Sequence, residues 1–100
     1  LNTNGILVLV LDEKYLDEYY SIVNLLRDNN FNSEIYLDPN KNMKKQLAYA
    51  DKKGFSLAII CGQDEIDKNK ATIKKLKSEV ENNQFTVSKE NLINEIKKLQ

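Results

Sequence analysis

Gln63-Asp64-Glu65 follows directly on the apolar run Leu57 to Cys61 and a glycine, Gly62. An amide and two carboxylates at that point can hydrogen-bond the edge of a ligand, and open α/β sheets present ligand-contacting groups beyond the carboxyl ends of their strands. Cations are the second chemical resource. Lys41 to Gly54 holds five lysines, Lys44 and Lys45 among them, against one aspartate. Asp67 to Lys77 holds five more, including Lys74 and Lys75, against one aspartate. Each segment therefore stands at +4, whereas Asp12 to Glu18 stands at −3. One account of these lysines is a pair of solvated faces, the usual place for lysine; the other is two segments that face an anion.

Other chemistry is poorly supplied. The chain has no histidine, so the usual acid–base agent near neutral pH is missing. One cysteine, Cys61, allows no internal disulfide and suggests no zinc cluster. It would also need a base or a positive setting to act as a nucleophile. No catalytic residue, metal site or cofactor site is expected within this chain. A phosphoacceptor receiver domain would fit the acidic pair Asp12-Glu13 after an apolar run, but it needs an aspartate where Cys61-Gly62 stands. A phosphate-binding nucleotide fold needs a glycine-rich first turn, and Asp12-Glu13-Lys14 is acidic and free of glycine.

One hundred residues suit a single domain, 1–100, with 41% apolar and 30% charged residues. Fifteen basic residues balance fifteen acidic ones, which argues against coating nucleic acid by bulk charge while leaving room for a local basic face. No apolar run is long enough to span a bilayer. Leu1-Asn2-Thr3-Asn4-Gly5 lacks the features of a signal peptide and starts without methionine, so the expectation is a fragment of a longer cytoplasmic polypeptide.

The elements that must position these groups can be read from periodicity. Ile6 to Leu11 predicts a strand buried on both faces. Leu16, Tyr19, Tyr20, Val23 and Leu26 recur at helical spacing, predicting a helix from Tyr15 to Arg27 that ends at Asp28-Asn29-Asn30. Ser33 to Leu37 reads as a short strand closed by the turn Asp38-Pro39-Asn40. A helix over about Asn42 to Lys53, with Met43, Leu47 and Ala50 as its buried stripe, ends at Gly54. Leu57 to Cys61 is the third strand. Gln63 to Asn69 is polar without clear period. Ala71 to Leu76 is a strand, with a bulge or its end near Lys74-Lys75; Glu79 to Asn83 is a turn, and Gln84 to Val87 a strand. Ser88 caps a last helix with Leu92, Ile93, Ile96 and Leu99 inward. The β-α-β-α-β order implies right-handed crossovers. The expected fold is α/β: a mixed five-stranded sheet, three parallel strands plus a C-terminal antiparallel hairpin, with three helices.

The stretch Lys44-Lys45-Gln46, Ala50-Asp51, Gly54, continued by Gly62-x-x-Glu65, Lys74-Lys75-Leu76 and Gln84, resembles the C-terminal anticodon-binding domain of histidyl-tRNA synthetases, a class II family. The likeness runs over nearly the whole chain in the family's order. It departs at Lys77 to Asn83, longer than the family's turn and without its glycine, and at Cys61, where an aliphatic residue is commoner. The resemblance implies a domain that holds a tRNA anticodon loop, whose unstacked bases can be read. It implies base contacts by Glu65, with Gln63 and Asp64 beside it and Lys74 adjacent on the neighbouring strand for phosphate or base oxygen. Gln84 is implied as a reader or a strand-start hydrogen bonder, and Lys44, Lys45 and Lys75 as phosphate partners. Most aromatics, Tyr19, Tyr36 and Phe55 above all, suit a core, while Tyr49 stands one residue off the stripe. For a full-length enzyme the resemblance implies ATP and magnesium, histidine-specific tRNA, and a homodimer built by catalytic regions, so that the fragment alone suits a monomer. The alternative is an interaction or dimerisation module on the same fold, as in a regulatory kinase or a polymerase accessory subunit.

Overall fold

The computed structural model describes residues 5–38, 40–77 and 83–99. Its strands are β1 (Ile6–Val8), β2 (Ser33–Ile35), β3 (Leu57–Ile60), β4 (Lys70–Lys75) and β5 (Gln84–Ser88). Its α-helices are α1 (Leu16–Asp28), α2 (Met43–Lys53), α3 (Gln63–Asp67) and α4 (Leu92–Lys98), with 3₁₀ turns at Glu13–Tyr15 and Lys89–Asn91 leading into α1 and α4. The five strands form one sheet in the order β2-β1-β3-β4-β5. β1 pairs in parallel with β2 and β3, while β3–β4 and β4–β5 are antiparallel. The mixed sheet is as expected, with a fourth helix added.

The central strands are apolar at every position because both faces of the sheet are covered there. Ile6, Val8, Leu57, Ile59, Ala71 and Ile73 join Tyr19, Ile22, Val23 and Leu26 of α1 and Leu92 and Ile96 of α4 in one core. Leu7, Leu9, Ala58 and Ile60 face the other way, against Ala50 of α2 and Phe55. So α1 and α4 cover one face of the sheet and α2 covers part of the other.

Four local expectations change. Regular pairing of β1 stops at Val8 rather than Leu11, although Leu9 N–H still bonds Ile59 O at 3.0 Å and both Leu9 and Val10 stay buried. On α1 the inward position is Ile22, and Tyr20 is 51% exposed. On α2 the stripe is Gln46 and Ala50; Leu47 is half-buried and Met43 points to solvent. Gln46 turns the helix this way, since its Oε1 accepts the Val10 N–H at 2.8 Å and its Nε2 donates to Val10 O and to Lys41 O. Gln63 to Asp67, read as irregular, is a five-residue helix: too short to reveal a period, it starts at Gly62 and gives way to Asn69 at φ +55°. Of the bulge or strand end expected near Lys74-Lys75, the strand end holds: the β4–β5 register runs unbroken from Lys70↔Ser88 to Lys74↔Gln84, and β4 ends at Lys75.

Other expectations stand. Asn42 Oδ1 accepts the Lys45 N–H at the start of α2, and Gly54 closes the helix at φ +84°. Ser88 Oγ accepts the Asn91 N–H ahead of α4. Asp38 Oδ1 accepts the Asn40 N–H in the turn around Pro39, itself outside the described residues. The turn read at 79–83 also lies outside them except for Asn83. No helix among the described residues is long and apolar enough to cross a membrane.

Candidate nucleic-acid interface

The carboxyl ends of β1, β2 and β3 form one rim of the sheet, and α1, α2 and α3 all start there. Gln46 ties the first turns of α2 to Val10, two residues past the end of β1. Lys44 and Lys45 are exposed on those turns but diverge, because successive helical residues are about 100° apart. α3 begins immediately after β3, with Gln63 and Asp64 exposed and Glu65 half-buried. The structure thus brings Gln63, Asp64, Glu65 and Lys44 and Lys45 of α2 to the same rim.

Glu65 has a structural duty at this rim. Its Oε1 accepts the Gly62 N–H at 2.7 Å, the half of a capping box open to a glycine start. A Cβ on residue 62 would lie 3.3 Å from that oxygen, so glycine gives the carboxylate room to close. The other oxygen is the one a base could use. Cys61, next to this turn, is buried, and its thiol points to Lys70 O at 3.7 Å. Burial, then the charges of Glu65 and Glu18, push that thiol up to about 12, which removes it as a nucleophile.

Lys74 does not sit beside Glu65. It pairs with Ala58 and Gln84, four residues along β4 from Lys70 and hence ~13 Å away at strand rise. Its Nζ donates to Asn83 Oδ1 at 3.1 Å. Lys70 is the β4 lysine at the α3 end of the strand. Lys75 alternates to the opposite face of the sheet from Lys74, the face of α1 and α4. Gln84 is exposed and level with Lys74.

Sequence reasoning does not single out the face shared by Lys70, Thr72 and Lys74 on β4 and by Gln84 and Thr86 on β5. Thr72 is 8% exposed and its hydroxyl lies 2.8 Å from that of Thr86, which is exposed. α2 covers the β1 and β3 side of this face but leaves Thr86 and Gln84 open. The signal is strict alternation: Lys70-x-Thr72-x-Lys74 and Gln84-x-Thr86 put polar side chains outward while Ala71, Ile73, Phe85 and Val87 pack inward. Aromatic side chains take no part in it. Tyr49 packs edge-on to Tyr36 at 5.3 Å and beside Phe55 at 6.3 Å, at the far flank of α2.

A family model described as "Anticodon binding domain" matches residues 5–99. A histidine–tRNA ligase of Pelagibacter ubique is 56% identical over 94 residues, 93% of this chain and 20% of that protein. One from Cytophaga hutchinsonii is 32% identical over 95 residues, 95% of this chain and 20% of that protein. Among solved structures, histidyl-tRNA synthetase from Nostoc sp. PCC 7120 superposes with a TM-score of 0.89 at 26% identity, covering 98% of this chain and 23% of that one. The RNA binding domain of threonyl-tRNA synthetase from Cryptosporidium parvum Iowa II reaches 0.85 at 15% identity, over 97% of this chain and 24% of that one, a likeness of fold. The chain spans about a fifth of the length of the ligases it matches.

Proposed function

The chain belongs to the anticodon-binding domain family, and from that footing we propose that residues 1–100 act as one domain that holds the anticodon loop of histidine tRNA for a histidine–tRNA ligase. The observation that carries this reading is the meeting of an amide-and-carboxylate rim, Gln63-Asp64-Glu65, with lysines on α2 and an uncovered polar sheet face. RNA sequence is read best on unstacked loop bases, which need acceptors and donors for their edges and cations for their phosphates. Glu65 supplies the acceptor for base N–H groups, with Gln63 and Asp64 beside it. Lys44, Lys45 and Lys74 meet phosphates. Gln84 adds an amide level with Lys74, and Lys75 contributes from the opposite face.

Activation of histidine by ATP with magnesium, and its transfer to the tRNA 3′ end, belong in this proposal to the remainder of the ligase. So do the homodimer and a cytoplasmic setting; this chain supplies binding without catalytic residues. Binding of tRNAs with altered anticodon bases, measured by fluorescence anisotropy, tests the reading. The native anticodon should bind tightest, and Glu65→Gln, whose amide oxygen can still cap Gly62, should narrow the difference between anticodons. Equal affinity of the unsubstituted chain for every anticodon would remove the base-reading role.

A further inference from the structure

α3 holds only five residues, and a helix of that length does not stand by its own hydrogen bonds, because nucleation costs more than a single turn returns. Two neighbouring residues of α1 reach its two ends. At the start, β3 pairs with β4 only as far as Ile60, and beyond it the Cys61 C=O accepts the Tyr19 hydroxyl at 3.0 Å. At the finish, Asn69 turns the chain at φ +55° and its C=O accepts the Lys89 N–H at 2.9 Å. The ammonium of that same Lys89 donates to the Glu18 carboxylate. Taking the anticodon-binding reading as given, we propose that Glu18 and Tyr19 are positioning residues, a brace that fixes α3 at both ends so that Gln63, Asp64 and Glu65 meet a base in one geometry.

Both tethers are built into the fold. Tyr19 has no exposed surface, so its hydroxyl must find partners inside. It finds them across two strand ends: it donates to Cys61 O, and the N–H groups of Asp12 and Leu11, past the end of β1, lie against the same oxygen. Being buried, Tyr19 can touch no base, and any effect it has on base choice passes through the turn it holds. The Lys89–Glu18 pair is sheltered, its side chains 23% and 32% exposed, and the ammonium also lies 3.5 Å from Ser21 Oγ. Anchoring Lys89 in this way steadies the residue whose N–H holds Asn69. Between the tethers, Ile66 packs against the core shared by α1 and α4. Such fixing matters to a reader because hydrogen bonds weaken steeply as their angle opens. Glu65 depends on it most: one carboxylate oxygen is engaged by the Gly62 N–H, so the aim of the other follows the turn.

The probes are an anticodon stem-loop and the same loop with substituted bases, read by fluorescence anisotropy at a temperature where circular dichroism shows each variant folded. Tyr19→Phe keeps the ring and removes the link; Glu18→Ala releases Lys89. Each should narrow the preference for the native anticodon by roughly three- to tenfold, the scale of one hydrogen bond. Amide exchange of Ile66 and Lys68, whose N–H groups bond Gly62 O and Asp64 O, should quicken in both variants. Ile22→Val, which loosens the packing of buried α1 without touching either tether, should leave the preference and the α3 exchange as they are in the parent. Loss of a carboxylate acting only through bulk charge would instead make Glu18→Ala bind every probe more tightly by one factor, and that result overturns the brace. So would folded variants that keep the parent's anticodon preference, or an Ile22→Val variant that narrows it as much as they do. A parent chain that binds every anticodon equally defeats the base-reading proposal itself, and the positioning role with it.

Discussion

Removing the side-chain amide of Gln46 takes partners from two backbone segments at once. Val10 loses both an acceptor for its N–H and a donor for its C=O, and Lys41 loses a donor, all at a site where Gln46 has no exposed surface. Gln46→Leu should therefore cost ~2–4 kcal/mol, because buried polar groups are left without partners. In urea unfolding the midpoint should fall with little change in slope, whereas Met43→Ala, at an exposed position, should shift it far less. A glutamine inside a helix reads as an outward residue, since nothing local announces a partner 36 positions earlier. For that reason periodicity misplaces the stripe, even though Gln46 belongs to the motif that carries the family resemblance. Cys61 makes a different prediction. Its thiol ionises near 9 when free and about 12 when folded, so its contribution is complete below pH 9 and is lost as pH climbs toward 12. Tyr19, whose hydroxyl donates to Cys61 O and whose pKa is raised chiefly by burial, acts in the same direction above pH 10. Stability measured from pH 9 to 12 should decline, and Cys61→Ala should remove part of that decline while Tyr19 retains the rest.

At the scale of elements, ends matter more than interiors. Gly54 closes α2 in the left-handed region with nothing within 4 Å of where a Cβ would stand. Gly54→Ala should then lower stability by ~1–2 kcal/mol through backbone conformation alone. Gly54→Asn should cost less, since asparagine tolerates that region, and thermal unfolding would order the three as Gly, Asn, Ala. This cap is legible in the sequence because a glycine directly after a lysine-rich helical run stands where a helix needs a left-handed residue to stop. α3 is not legible: its five residues hold only one turn, and the carboxylate that starts it also suits a ligand contact. The hairpin lies between these cases. Antiparallel pairing follows from the short connection, but two adjacent lysines at Lys74-Lys75 hide the even alternation along β4. There the strand is only ending, with both lysines still alternating between faces.

Across the whole molecule carboxylates are concentrated on α1 and lysines on α2, on opposite sides of the sheet. The outer side of α1 shows Asp17, Tyr20, Ser21, Asn24 and Asp28, while α2 and, on β4, Lys70 and Lys74 carry lysines on the other side of the sheet. A polyanion on the α2 side would have the carboxylates of α1 turned away from it, and the sheet between them exceeds the ~8 Å over which physiological salt screens charge. Asp17→Asn combined with Asp28→Asn should consequently leave affinity for a tRNA stem-loop within about twofold at physiological salt, as read by anisotropy, and raise it chiefly at low salt. Segment charges in the sequence already indicate this polarity, but only the sheet order tells which elements share a side. The Val10–Gln46 contact has a kinetic meaning as well. The Val10 N–H lies beyond the regular strand ladder, and its protection from solvent deuterium depends on a side chain of α2. Its exchange should keep pace with the lifting of that helix, more slowly than a frayed strand end and faster than Leu7 at the sheet's centre. One backbone amide thereby times how often the lysine-bearing helix leaves the sheet, and an RNA gripping both α2 and the rim should slow that clock.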